Sequence, residues 1–261
     1  MATAAPLARL LDAGRDTLTV AGRDLLLFAR TPEMLVFAVL QPALIVIMFR
    51  YVFGGAVTVP GASYADYLLP GIFAQTVLFG AVGTGVGLAD DLSRGVVDRL
   101  RALPIARAAV LGGRAVADLV RTAVVVLVMG VLIIAVGFRP VPSVPDLLLT
   151  VTVLLAYAFS LSWVFALVGL YASSPEGAES IGFPVLIPLS FASSAFVPVA
   201  TMPGWLAAFA GHQPVTAAVD ATRAIMLGEP AGDAVRTSLL WSLALLALFA
   251  PLAVLRFRRL P

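Results

Sequence analysis

The chain has 261 residues, of which 61% are hydrophobic and 12% charged, and its mean hydropathy is +1.02. A soluble domain of this length cannot bury that much apolar surface in one core, so the composition excludes one and points to a polytopic helical membrane protein. The net charge is +2, all seventeen cations are arginine and cysteine is absent, which excludes disulfides, thiolate chemistry and Cys-based metal sites. The sequence pI near 9.4 does not indicate a nucleic-acid partner, because the arginines cluster beside apolar runs, as they do at cytoplasmic membrane edges. The period-two alternation of a transmembrane β-barrel is absent.

In chain order, residues 5–30 read as an amphipathic helix. Leu7, Leu11, Leu18 and Leu25 recur at four and seven, and Arg9, Asp12, Arg15, Asp16 and Arg23 supply the polar side. Such a helix lies in the membrane interface. The same charges interrupt any leader-peptide core, so no cleavable signal is expected. Thr31-Pro32-Glu33 has the N-cap, N1 and first-turn acid of a new helix.

Six apolar runs are long enough to cross a bilayer. The first covers 34–53, with Gln41-Pro42 expected to kink it. Tyr64 and Tyr67 read as an interfacial pair ahead of the second run, 68–89. That run is uncharged and glycine-rich, and Gly83 and Gly87 make a small-xxx-small face suited to close helix packing. The third covers 118–138, with Asp118 and Arg121 spaced to pair at its entry. The fourth is 147–171. The fifth is 181–199, interrupted by Pro184 and Pro188 and striped with Ser190, Ser193 and Ser194. The sixth is 237–255, closed by the basic tail Arg256, Arg258 and Arg259.

Between the second and third runs lies a charged segment, 90–113, which holds Arg94, Arg99, Arg101 and Arg107, with Arg114 just past its end. So many cations belong in water at a membrane face. Val96, Val97, Leu100 and Leu103 form an apolar stripe opposite Asp98, Arg99 and Arg101, and Pro104 ends the run. This reads as a short amphipathic helix available to something outside the membrane. Between the fifth and sixth runs, 200–236 is apolar and aromatic in part, and reads as two short re-entrant helices near 203–211 and 214–227.

With the N-terminus inside, thirteen arginines fall on inner segments and four on outer loops. The positive-inside rule therefore puts both termini and the 90–113 segment in the cytoplasm.

The spans carry no acid or base at their centres, which argues against an ion-coupled carrier. No GxxxxGK[ST] loop is present, so the chain has no phosphate cradle of that kind for ATP. His212 has no partner at ligand spacing, and Asp90-Asp91 and Glu176/Glu179 read as solvated loop acids, so no metal site is expected.

Two groups of motifs resemble the membrane subunits of type-2 ABC exporters, most closely the daunorubicin/doxorubicin-resistance-like permeases of actinobacteria. One is Asp90-Asp91-Leu92-Ser93-Arg94-Gly95, continuing through Asp98-Arg99-Leu100 to Leu103-Pro104-Ile105-Ala106-Arg107. The other is Phe196-Val197-Pro198, Met202-Pro203-Gly204-Trp205-Leu206, Pro214-Val215-Thr216 and Asp220-Ala221-Thr222-Arg223. Where many relatives have Glu in the acidic turn and Asn before Pro-x-Thr, this chain has Asp91 and Gln213. The resemblance covers nearly the whole chain.

It implies an all-α membrane protein with six transmembrane helices, an N-terminal interfacial helix, a cytoplasmic coupling helix and re-entrant extracellular helices. It implies a plasma-membrane permease, not itself an enzyme, that moves a hydrophobic or amphipathic compound outward. Two copies of an ABC ATP-binding subunit, carrying the ATP and Mg²⁺, dock below, and a second permease, identical or related, packs alongside in the lipid. The residues expected at the ATPase are Asp91, Arg94, Gly95, Asp98, Arg99, Leu103, Pro104 and Arg107. In the family, spans two and five line the path, so Gln75, Thr76, Thr84, Phe191, Ser193 and Ser194 are path candidates here, with helix packing as their other role. Pro203, Gly204, Trp205, Pro214, Asp220 and Arg223 mark the re-entrant segment. An ion-coupled secondary transporter and a membrane-embedded enzyme or scaffold are the competing readings.

Overall fold

The computed structural model describes residues 6–48, 51–52, 64–101, 107–135 and 142–259, which are mostly helical, with no strand among them. Eleven α-helices follow in order: α1 (Pro6–Ala29), α2 (Pro32–Met48), α3 (Tyr64–Gly80), α4 (Val82–Ser93), α5 (Val96–Arg101), α6 (Arg107–Ala135), α7 (Val144–Tyr171), α8 (Pro175–Phe191), α9 (Gly204–Gly211), α10 (Pro214–Leu227) and α11 (Gly232–Arg258). Local chemistry sets several boundaries. Ser143 caps α7 in a capping box with Asp146, and Ser174 caps α8 by accepting from the Gly177 amide at 3.1 Å. Gly95 (φ 65°) ends α4 and releases α5 in a new direction, a left-handed backbone that a side chain resists.

Among the described residues, four stretches are long and apolar enough to cross a membrane: Asp66–Ser93, Ala109–Leu132, Val144–Tyr171 and Gly232–Arg258. The first joins α3 and α4 with only Ala81 between them. Of the other two expected spans, α2 and α8 are 17-residue helices. At 1.5 Å per residue α8 covers about 25 Å, short of a hydrocarbon core about 30 Å thick, while α2 is described only as far as Met48. Three boundaries differ from expectation. The acidic turn at Asp90-Asp91 is still helical and belongs to α4. Helix α6, which carries the third candidate span, is described from Arg107 on, so Asp118 and Arg121 lie inside it and not at its start. The fifth ends at Phe191, not at 199, because Pro184 and Pro188 withdraw backbone donors and the chain turns irregular after Ala192. The expected re-entrant helices coincide with α9 and α10.

The bundle is organised around α7, which packs on α3, α4, α6, α8, α10 and α11. Its closest approach is a glycine pair. A Cβ on Gly85 of α4 would sit 2.7 Å from the Phe165 carbonyl oxygen, and one on Gly169 of α7 would strike the Gly85 carbonyl. The expected packing face at Gly83 and Gly87 is used otherwise: the Arg121 and Arg114 guanidinium groups lie over those two glycines.

Two larger apolar clusters divide the length of the bundle, beside a small one of Val153, Ala221 and Ile225. The larger runs from Tyr64, Leu68 and Val215 through Tyr157 to Val82 and Phe165. The smaller joins Leu88, Val97, Val110, Leu170 and Phe257. The second places the end of α4, α5, the start of α6, the end of α7 and the C-terminal turn of α11 together. Because α1 packs along α6, with Gly113 against Val20, it lies at this end too. The opposite end holds the start of α3, the end of α8, α9 and α10.

Candidate functional site

At the α10 end the chain is knotted by one cation. Arg223, 8% exposed, donates from Nε to the Tyr67 carbonyl (3.0 Å), from Nη2 to the Ser194 carbonyl (2.7 Å) and from Nη1 to Asp220 Oδ1 (3.0 Å). Its guanidinium also lies 3.7 Å from the Tyr67 ring centroid, while the Tyr67 hydroxyl donates to the same Ser194 carbonyl at 2.9 Å. Ser194 Oγ reaches Asp220 at 2.6 Å, and the Ser194 amide donates to Thr216 Oγ1. Tyr67 is therefore a buried seat for a cation, and Tyr64 is buried as well. Gln213 closes the end of α8, donating to the carbonyls of Leu189 (3.0 Å) and Ala192. Those carbonyls lie at the end of α8, where a helix leaves acceptors without intrahelical partners. Of the remaining re-entrant residues, Pro203 and Gly204 open α9, Pro214 opens α10 and Trp205 projects, 76% exposed.

At the α1 end the charges are arranged differently. Asp91 Oδ2 accepts from Arg114 Nη1 at 2.7 Å and from Arg23 Nη2 at 2.9 Å, and Arg23 also pairs with Asp24 at 2.7 Å. Two cations and two carboxylates thus tie α1, α4 and α6 together, each half-buried. Burial holds the Asp24 carboxyl above its ordinary range despite Arg114 and Arg23 beside it, and neighbouring Asp91 adds to the rise. Burial also works against the Arg23 charge, but Asp24 and Asp91 outweigh it and its pKa is raised.

Asp91 is therefore occupied inside the protein. The groups left facing out are Arg94, paired along its own helix with Asp90 at 2.8 Å, and Arg99, whose Nη2 donates to the Arg94 carbonyl. Val97 anchors α5 in the smaller cluster. Leu103 and Pro104 lie outside the described residues; Asp98 and Arg107 lie on α5 and α6, with side chains outside the described set.

Between these ends, α2, α3, α4, α6 and α8, with Phe28 of α1, line a partly open cavity of about 540 Å³. Its walls are mainly apolar, with Gln75 and Thr76 among them. Arg121 lines it from mid-α6, held by Asp118 (3.0 Å) and the Gly80 carbonyl (3.0 Å), while Thr84 donates to Asp118 at 2.5 Å. Of the six path candidates, only Gln75 and Thr76 reach this cavity. Thr84 ties α4 to α6, Ser193 bonds the Ser190 carbonyl, Ser194 belongs to the Arg223 knot, and Phe191 stacks on Phe196 at 5.0 Å. The sequence reading missed Glu33, Arg121 and Glu179 as cavity residues, Arg23 as the partner of Asp91, and Tyr67 as the seat of Arg223. An apolar run interrupted by a single Gln, as at Gln75, was the one signal in the sequence for a polar wall. Among the described residues no group of three His, Cys, Asp or Glu is placed to hold a metal, and His212 is exposed with Nδ1 2.9 Å from the Ala208 carbonyl.

Residues 15–227 match the ABC-2 type transporter family, and the chain belongs to it. It is 36% identical over 242 residues to the daunorubicin resistance ABC transporter permease protein DrrB1 of Streptomyces coeruleorubidus, across 93% of this chain and 86% of that one. It is 28% identical over 241 residues to a "Probable doxorubicin resistance ABC transporter permease protein DrrC" of Mycobacterium tuberculosis, across 92% and 87%. The chain is thus a membrane subunit of an ABC exporter.

Proposed function

We propose that the chain forms the transmembrane half of an ATP-driven exporter that carries a hydrophobic or amphipathic compound, drug- or lipid-like, out of the cytoplasm or the inner leaflet. ATP and Mg²⁺ bind a separate ABC subunit, present in two copies, and a second permease, identical or related, completes the membrane part. The chain crosses the plasma membrane six times, with α2 and α8 carrying two of the spans and both termini in the cytoplasm. The positive-inside count supports that orientation, which makes the α1 end inner and the α10 end outer.

The observation that carries the reading is the Arg23–Asp24–Asp91–Arg114 cluster. It links the interfacial helix α1, the inner end of the second span and the start of the third, with α5 projecting just beyond. A push delivered to α5 and α1 by a closing ATPase is passed through Asp91 to α4 and α6, which wall the cavity. Asp91 is then a transmitting residue, and Arg94 and Arg99 are the groups that meet the partner. The knot at Arg223 keeps the outer end shut while the cavity is entered from below. The competing carrier reading needs a free intramembrane acid, and the mid-helix pair Asp118–Arg121 is already neutralised and hydrogen-bonded.

The test is affinity purification of the tagged chain from its host in mild detergent, with copurifying proteins identified and ATPase activity assayed. A near-stoichiometric ATP-binding subunit is the expected result. A chain that purifies alone across several detergents, with no ATPase activity, overturns the proposal.

A further inference from the structure

Helix α11 begins and ends with different charge. Its first turns carry one acid and one base, Asp233 and Arg236, whereas its far end carries Arg256, Arg258 and Arg259 and no acid. None of those three arginines makes an ion pair among the described residues. Leu248, Leu252, Leu255 and Arg259 follow one another at spacings of four, three and four, so they share one face, and all four are exposed. On a helix long and apolar enough to cross a membrane, such a face is covered by acyl chains. Here the acyl-covered stripe runs directly into unmatched cations, which is the complement of an anionic lipid's tail and headgroup.

Arg256 stands one turn beyond Leu252 on the same side. Its guanidinium carbon lies 4.6 Å from the ring centroid of Tyr171, the exposed last residue of α7. Arg256 Nε is buried and has no hydrogen-bond partner among the described residues. A buried donor without an acceptor is costly, and the ring orients the guanidinium without offering it an oxygen. Glu176, the acid nearest Tyr171 in sequence, does not fill the gap, because it bonds its own amide and Ser174. A phosphate ester supplies the missing acceptor and the missing charge together, and the fork of an arginine fits it.

We propose that Arg256 and Arg259, with Tyr171, hold the phosphate of an anionic phospholipid resident in the leaflet at the α1 end, its acyl chain lying along Leu248, Leu252 and Leu255. The lipid is a structural ligand and not cargo. It sits where the ends of α7 and α11 meet, over the contact that brings Leu170 and Phe257 into the smaller apolar cluster with Val97 of α5. The proposal needs only that α11 lies in a bilayer, and it does not rest on the exporter reading.

The test reconstitutes the full-length protein in nanodiscs of equal parts phosphatidylcholine and phosphatidylglycerol and counts the lipids that stay bound by native mass spectrometry. Phosphatidylglycerol is expected to outnumber phosphatidylcholine about tenfold, the order expected of two arginines near an anionic surface. Arg256→Gln/Arg259→Gln is expected to bring the ratio close to one. Arg15→Gln/Arg30→Gln removes the same charge from two exposed arginines in and just after α1, and should leave the ratio unchanged. A wild-type ratio near one, or an equal fall in both double variants, overturns the proposal. Displacement of the bound lipid by excess glycerol 3-phosphate also overturns it, since the site is then one for a free phosphate ester. If Arg256→Gln/Arg259→Gln does not fold, the two single variants replace it, and each must lower the ratio about threefold for the proposal to stand. Thermal stability is measured in the same lipids. The wild type should gain from phosphatidylglycerol and the double variant should not. A variant destabilised equally in either lipid, with its ratio unchanged, makes the arginines caps for the carbonyl end of α11 and removes the lipid site.

Discussion

The two ends of the bundle are both held by arginine and aspartate, yet they are built for different duties. At the α10 end one guanidinium satisfies two backbone carbonyls, a carboxylate and a ring face, and it is nearly dry. At the α1 end two guanidinium groups share one carboxylate, in side chains 18–31% exposed. A dry, multiply bonded cation resists rearrangement, because every bond lost leaves a buried group unpaired. A half-hydrated pair can exchange partners with water at little cost. The first arrangement suits a closure and the second suits a joint.

The sharpest way to break that contrast is at Arg223. Arg223→Ala leaves the Tyr67 and Ser194 carbonyls without their charged donor and should destabilise the fold by about 3 kcal/mol or more. Arg223→Lys keeps the charge but loses the fork and should recover only part of it. Thermal aggregation of the detergent-solubilised variants measures both. Near-normal stability of Arg223→Ala would remove the idea of a knot. Next comes the seam between the ends. Gly169→Val pushes a side chain into the Gly85 carbonyl and should cost about 1–3 kcal/mol, read as a fall in folded yield.

Asp91→Asn should cost less stability, about 1–2 kcal/mol by the scale of half-exposed pairs, while uncoupling ATP hydrolysis from transport. Loss of stability with coupling intact would make the cluster a plain staple. The alanine pair Asp98→Ala/Arg99→Ala should leave insertion and folding unchanged and weaken copurification of the ATP-binding subunit. The smallest effect is expected at Asp24. Its folded pKa is raised, so the native state holds the proton more tightly than the unfolded chain. Its contribution is therefore fully present below the ordinary carboxylate pKa and is lost as pH rises through the raised value. Asp24→Asn removes the buried charge and should accordingly be at least as stable as the wild type at pH 7 in the same thermal assay, where Asp91→Asn is less stable.

Much of this was legible in the sequence, for identifiable reasons. Apolar runs of span length, arginine asymmetry and the Pro-started helices at Pro203–Gly204 and Pro214 are local signals, and α9 and α10 lie where those signals put them. What was not legible was pairing across the fold. Asp91 reads as a solvated acid because its partners Arg23 and Arg114 are remote in sequence or on another helix. Gly83 and Gly87 carry the recognisable small-residue spacing, yet the close contact is made by Gly85, whose partner Gly169 only the fold identifies. The helix that carries the third run reaches further back than the run itself: charges at Arg114, Asp118 and Arg121 look like a boundary, whereas paired they sit inside a helix. Glu33 and Glu179 belong to different helices, and no pattern in the chain says that they share a cavity.

The central claim is that the end bearing α1 and α5 meets an ATP-hydrolysing subunit and the α10 end does not. Because the chain has no cysteine, it can be tested one site at a time. Arg99→Cys and Trp205→Cys, each treated in membranes with a thiol–amine crosslinker, place one probe at either end. The account predicts that Arg99→Cys crosslinks to an ATP-binding subunit, in an amount that changes with added nucleotide, while Trp205→Cys gives no such product. Crosslinking of the subunit through Trp205→Cys, or none through Arg99→Cys in a complex that still hydrolyses ATP, would contradict it.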